Sequence, residues 1–160
     1  MKKQIIVNYE SVSWEQLDQQ DRELIEKAKT ASLYSYAPFS QFHVGCAVRL
    51  DNGIIITGNN QENASFPCGT CAERSAIFYA HSNYPDHAPT TIAITARQQD
   101  GNFIKQPLPP CGACRQALLE MEHIYLKPMR ILLYSTTETF IIPSVQDLLP
   151  LQFTASMMEG

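Results

Sequence analysis

No stretch of this chain stays apolar for long. Runs such as Ile54-Ile55-Ile56 and Ile131-Leu132-Leu133-Tyr134 fall far short of the roughly 20 residues of a bilayer span, which excludes a transmembrane helix. Positive charge is scarce as well. Lys and Arg total 12 against 16 for Asp and Glu, and a net −4 is not the field of a protein that grips a polynucleotide. Behind Lys2 and Lys3 only Ile5-Ile6-Val7 precede polar residues, so the pattern of a secretory signal is missing. Internal repeats, low-complexity tracts and linkers are absent, and the ten prolines fall at element ends. The four histidines, His43, His81, His87 and His123, have no paired metal-ligand spacing. What remains is a balanced chain of 160 residues, 44% hydrophobic and 18% charged, able to build its own core. One domain over 1–160 is expected, in a reducing cytoplasm where five cysteines bind metal or catalyse rather than pair.

Hydrophobic spacing predicts the elements. Residues 1–12 read as an extended arm. Ser13 with Gln16 fits a capping box ahead of a helix from Asp18 to Ser35, with Leu24, Ile25, Ala28 and Ala31 inward. Strands over Val44–Leu50 and Ile54–Thr57 flank Asn52-Gly53, a tight hairpin turn. Helices are predicted from about Cys71 to His81, with Ala72, Ala76 and Ala80 on one face, and from Cys111 to Glu122, with Ala113, Ala117 and Met121 on one stripe. Thr90–Ala96, Arg130–Ser135 and Phe140–Ile142 read as strands, and Val145–Leu149 as a last helical turn. The alternation predicts a three-layer α-β-α fold with a mixed, mostly parallel central sheet and the hairpin as an antiparallel edge. Sites in such sheets form beyond strand ends, where helices begin.

Both cysteine-bearing helices begin at such places. Cys111 and Cys114, three apart at a helix start, can turn two thiolates to one metal, and Cys71 also opens a helix. Helix N-termini expose unpaired N–H groups that stabilise thiolates. Three protein ligands leave one position of zinc open, as in a catalytic site, with Glu73 two residues past Cys71. Cys46, inside a strand, reads as a small buried hydrophobe.

Cys71-Ala72-Glu73-Arg74 followed by Pro110-Cys111-Gly112-Ala113-Cys114-Arg115-Gln116 resembles the zinc-dependent cytidine deaminases, in their short-chain homotetrameric branch. Tyr36 to Gly45, Asn60 to Phe66 and Leu148 to Phe153 resemble further segments of that family, in the same order. His43 stands where the family commonly has proline, and Phe66 where it has tyrosine. The resemblance implies hydrolytic deamination of cytidine and deoxycytidine, with release of ammonia, in pyrimidine salvage. It implies Zn²⁺ held by Cys71, Cys111 and Cys114 to activate water, Glu73 as proton shuttle, and Arg74 offsetting the thiolate charge. Phe42 would pack against the nucleoside, Asn60 and Glu62 would bind the ribose 3′-hydroxyl, and the Ala72 N–H would meet the pyrimidine O2. Phe153 would reach a neighbouring subunit's site in a homotetramer. An anionic Glu62 at the sugar and the lack of a glycine-rich phosphate loop point to nucleosides over nucleotides.

Two alternatives stand beside this reading. Cys68 and Cys71 form a second Cys-x-x-Cys, so a closed four-cysteine structural zinc module is the reading from another class. The 39 residues between the pairs exceed the usual zinc-ribbon gap, and that module leaves Glu73 without a purpose. A deaminase of a nucleoside antibiotic shares the same chemistry, but the Asn60-x-Glu62-Asn63 stretch points to cytidine.

Overall fold

The computed structural model describes residues 1–158; the last two of the expected 1–160 domain lie outside the described residues. Asp18 begins the first helix, its carboxylate accepting the Asp21 N–H at 2.7 Å, a cap that satisfies one of the helix's unpaired donors. Helix α1 (Gln19–Ser32) then turns Leu24, Ile25, Ala28 and Ala31 inward, as its spacing predicts. The Ser13–Gln16 pairing forms too, with the Ser13 N–H donating to Gln16 Oε1 at 2.8 Å, but it closes a separate 3₁₀ turn, Trp14–Gln16.

Strands β2 (His43–Leu50) and β3 (Ile55–Asn59) form the hairpin, with Gly53 at φ 85°, a conformation that favours glycine. Helix α2 (Ala72–Asn83), strand β4 (Pro89–Arg97), helix α3 (Gly112–Tyr125), and strands β5 (Arg130–Tyr134) and β6 (Thr139–Ile142) follow. A 3₁₀ turn, Val145–Leu148, stands where the last helical turn is predicted. Part of the N-terminal arm is also structured: β1 (Glu10–Val12) pairs with β6 and gives the sheet its far edge.

The sheet order is β1-β6-β5-β4-β2-β3. The mixed, three-layer architecture is as expected, but its bonded neighbours are not mostly parallel. Among the described residues only β4 and β5 pair in parallel, and the other four strand pairings are antiparallel. The reason lies in the hairpin. β3, β4 and β5 do run in one direction, as crossover connections require, but β2 sits between β3 and β4 rather than beside the sheet.

Alternate residues of each strand face opposite layers. Ala47, Ala93 and Leu132 pack under α1, whereas Cys46, Val48, Ile92, Ile94, Ile131 and Leu133 pack under α2 and α3. Ala72, Ala76 and Ala80 line the buried face of α2, as predicted. In α3 the expected stripe holds at Met121, but Cys114, Leu118, Leu119 and Glu122 make up the rest of the buried face, while Ala113 is exposed and Ala117 half-buried. Larger side chains removed more apolar area from water than alanines could, and they set the rotation of the helix. Among the described residues no helix is long and apolar enough to cross a membrane.

Two glycines let helices lie close to the sheet. A Cβ on Gly45 would stand 2.1 Å from the Ala28 carbonyl of α1, and one on Gly58 would stand 2.4 Å from the Ala72 carbonyl of α2. Gly58→Ala should therefore lower stability by about 1–3 kcal/mol, read as a lower urea midpoint at unchanged slope. A midpoint equal to the parent protein's would show that α2 does not rest on this strand as described.

Candidate active site

Because β3 and β4 point the same way, the chain leaves both at one end of the sheet, and α2 and α3 both begin there on the same face. Cys71 stands at the N-cap of α2 (φ −77°, ψ 156°) and Cys111 at the N-cap of α3 (φ −65°, ψ 166°). Cys114 lies one turn into α3 and is buried. The Cys71 and Cys111 sulfurs are 3.9 Å apart, and all three thiols lie within 4.8 Å of one another. Tetrahedral zinc with bonds of about 2.3 Å to sulfur sets its sulfurs about 3.8 Å apart, so this trio could hold that ion.

The Cys71 thiol is lowered to about 5, first by its hydrogen bond with Cys114 and then, against burial, by Arg74 and Cys111. The same contact with Cys71, together with burial, pushes Cys114 up. The thiolate form is therefore favoured at Cys71 and disfavoured at Cys114, and their titration is a property of the pair. Arg74 Nη2 donates to Cys71 Sγ at 3.7 Å, and the two groups hold each other in their charged forms. Glu73, in the first turn of α2, is 4% exposed. Burial raises its proton affinity, and the negative charge of Cys71 raises it further.

Two clefts open nearby. One, of about 550 Å³, is lined by Phe39, Asn60, Glu62, Phe66, Cys71 and Arg74. Glu62 Oε2 accepts the N–H groups of Phe39 at 2.8 Å and Ser40 at 3.2 Å; the Ser40 side chain first, and then these N–H groups, hold its carboxyl below the usual range. Asn60 accepts the Val44 N–H at 2.8 Å through Oδ1 and donates to the Phe42 carbonyl at 2.9 Å through Nδ2. Phe42 itself lines a second cleft, of about 930 Å³, with Phe103, Ile104 and Leu108 from the loop between β4 and α3. Cys71, Asn60, Glu62 and Arg74 thus share one cleft, whereas Phe42 and the 57%-exposed Phe153 stand outside it. Sequence reasoning did not pick out Phe39 as a lining residue. It meets Phe66 edge-on, ring centroids 5.6 Å apart, a contact between segments with no local sequence signal.

Residues 18–126 match the family described as the cytidine and deoxycytidylate deaminase zinc-binding region. The chain belongs to this deaminase family. Cytidine deaminase of Halalkalibacterium halodurans is 38% identical over 139 residues, which cover 84% of this chain and 95% of that protein. The crystal structure of cytidine deaminase from Burkholderia pseudomallei superposes with a TM-score of 0.68 at 36% identity, covering 82% of this chain and 97% of that one. Blasticidin-S deaminase of Bacillus cereus is 28% identical over 139 residues, 86% of this chain and 95% of that protein. The cofactor of this deaminase family is zinc, and the thiol trio is where such an ion fits.

The four-cysteine alternative is not assembled. Cys68 is exposed, and its thiol donates to Ser65 Oγ at 3.6 Å; the cluster of thiols contains three members, not four. Backbone bonds between Gln61 and Thr70 fix the base of the loop that carries Cys68, so the Cys-x-x-Cys spacing does not turn both thiols to one point. Cys46 is fully buried in β2, as expected of a packing residue. Cys111→Ser should lose most of its bound zinc, measured by mass spectrometry of metal content, whereas Cys68→Ser should keep about one ion per chain. Zinc lost equally from both variants would restore the four-cysteine module.

Proposed function

We propose that this chain deaminates cytidine and deoxycytidine to uridine and deoxyuridine, in pyrimidine salvage in the cytoplasm. The observation that carries the reading is the three-thiol cluster with the buried Glu73 carboxyl beside it, in a chain 38% identical to a cytidine deaminase. Residues 1–160 act as one deaminase domain. Zinc held by Cys71, Cys111 and Cys114 supplies, when bound, a water of lowered pKa. Everything else falls to side chains. Glu73 takes one proton from the attacking water and places it on N3 of the cytosine ring, then takes the second from the hydroxyl added at C4 and delivers it to the departing amine. Oxygen from water joins C4 first and the C4–N bond then breaks, so water is consumed and ammonia released. One carboxyl thus serves as base and then acid, and its raised proton affinity suits both halves of the task.

Three thiolates about Zn²⁺ leave a net −1, which works against acidifying that water. Arg74, bonded to Cys71, offsets this charge, and so do the N-termini of α2 and α3. Ala72 offers its first-turn N–H to the pyrimidine O2. Asn60 has one N–H of Nδ2 beyond the bond to Phe42, and Glu62 has Oε1 beyond its bonded Oε2; both are directed to the ribose 3′-hydroxyl. Phe42, which lines the second cleft, packs against the nucleoside from that side, as the family resemblance implies.

Phe153 reaches into the site of a neighbouring copy within a homotetramer. Supporting this are the family resemblance and the surface: Phe66 is 73% exposed and Phe153 57%, large apolar groups that a lone chain leaves in water. Cytidine is favoured over an antibiotic nucleoside by the higher identity to the cytidine deaminase.

Ammonia release from cytidine by the zinc-loaded protein tests the reading, with Blasticidin S as the competing substrate. Cytidine should be turned over, and Glu73→Gln should retain zinc while kcat falls by about 10²–10⁴. Near-normal kcat in that variant would remove Glu73 from the proton path, and turnover of the antibiotic alone would reassign the substrate.

A further inference from the structure

Helix α3 does more than present two cysteines. Arg115, the residue after Cys114, donates from Nε to the Pro110 carbonyl at 2.8 Å and from Nη1 to the Leu148 carbonyl at 2.7 Å. Gln116 Nε2 donates to the Phe153 carbonyl at 2.9 Å. Two turns further along α3, the buried Glu122 carboxylate accepts the Val145 N–H at 2.9 Å and the Ser144 hydroxyl at 2.9–3.0 Å. One helix therefore grips the chain from Ser144 to Phe153 at its start, middle and end.

Arg115 makes no ion pair among the described residues; its planar fork is committed to two backbone carbonyls. The Pro110 carbonyl lies in irregular backbone and the Leu148 carbonyl ends the 3₁₀ turn Val145–Leu148, so neither receives a donor from a ladder or from within a helix. One belongs to the residue before Cys111 and the other to the segment leading to Phe153. Between the two grips that follow Val145 stands Leu151 at φ 56°, a left-handed conformation that a leucine keeps only when its surroundings hold it. The Leu148 and Phe153 bonds bracket that residue.

We propose that Arg115 and Gln116 are positioning residues that clasp the 148–153 segment to the turn bearing Cys111, and so present Phe153 in one geometry. The proposal rests on the reading of Phe153 as a substrate contact. Loosening the clasp then weakens nucleoside binding and leaves the proton path intact, so its effect falls on KM. Gln116 touches only the segment. Arg115 touches the ligand turn as well, and lysine, a point charge without a fork, cannot span both carbonyls in the same way.

The test uses the zinc-loaded full chain, its Gln116→Met variant and its Arg115→Lys variant. Hydrogen–deuterium exchange over residues 148–153, zinc content and steady-state kinetics on cytidine are compared. In both variants exchange over 148–153 should quicken, zinc should be retained, and KM should rise about five- to thirtyfold with kcat within about threefold of the parent. Should Arg115→Lys fail to fold, Gln116→Met alone carries the test. Unchanged exchange over 148–153 would overturn the clasp, and so would faster exchange with an unchanged KM. A parent protein that turns over no cytosine nucleoside would instead refute the proposed function, and the exchange measurement would still decide whether the clasp exists.

Discussion

The thiols of Cys71, Cys111 and Cys114 can meet only because two helices begin side by side, and that depends on β3 and β4 leaving the sheet at the same end. Neither helix could do this alone. A single turn of α3 brings Cys111 and Cys114 together, but Cys71 comes from 40 positions away in sequence. Its approach to 3.9 Å from Cys111 is a product of sheet topology, of α2 resting close on β3 at Gly58, and of the apolar layer the two helices share. Packing at this density transmits position with little slack, which is what a metal centre with one open place requires.

Electrostatics follow from the same geometry. Thiols brought this near must share protons or lose them: the thiolate is favoured at Cys71 and disfavoured at Cys114, and the two titrate as a pair. Two helix N-termini and Arg74 supply the positive field that makes such crowding tolerable. Glu73 experiences the opposite environment, buried with a thiolate nearby, and so binds a proton more tightly than a free carboxylate. Two anionic groups on neighbouring residues are thus driven in opposite directions by burial and partner, the separation of proton affinities on which acid–base chemistry runs.

Much of this was legible in the sequence because it is local. Cysteines at helix starts, an acidic residue two places on, and the periodicity of α1 and α2 are read within a few turns of chain. The site's three thiols needed the resemblance as well as the spacing, since Cys68 offers an equally good Cys-x-x-Cys partner on paper. Neighbour relations in the sheet were not legible. Whether a hairpin stands beside a crossover unit or inserts into it is decided by long-range pairing, and β2 between β3 and β4 leaves no mark on the strands' own composition. The face of α3 was misread for a different reason: alanines at regular spacing gave a period, but Leu118 and Cys114 had more to bury. Nor could spacing show that Phe42 and Asn60, joined through a backbone carbonyl, line different clefts. Backbone acceptors carry no residue identity, so the partners of Arg115 and Gln116 emerge only in three dimensions.

The central claim is a metal bound by three sulfurs with one position left for a light atom, facing a carboxyl group. X-ray absorption at the zinc edge of the metal-loaded protein reads that first shell directly. The account predicts three sulfur neighbours at about 2.3 Å and one oxygen or nitrogen at about 2.0–2.2 Å. A shell of four sulfurs would contradict it.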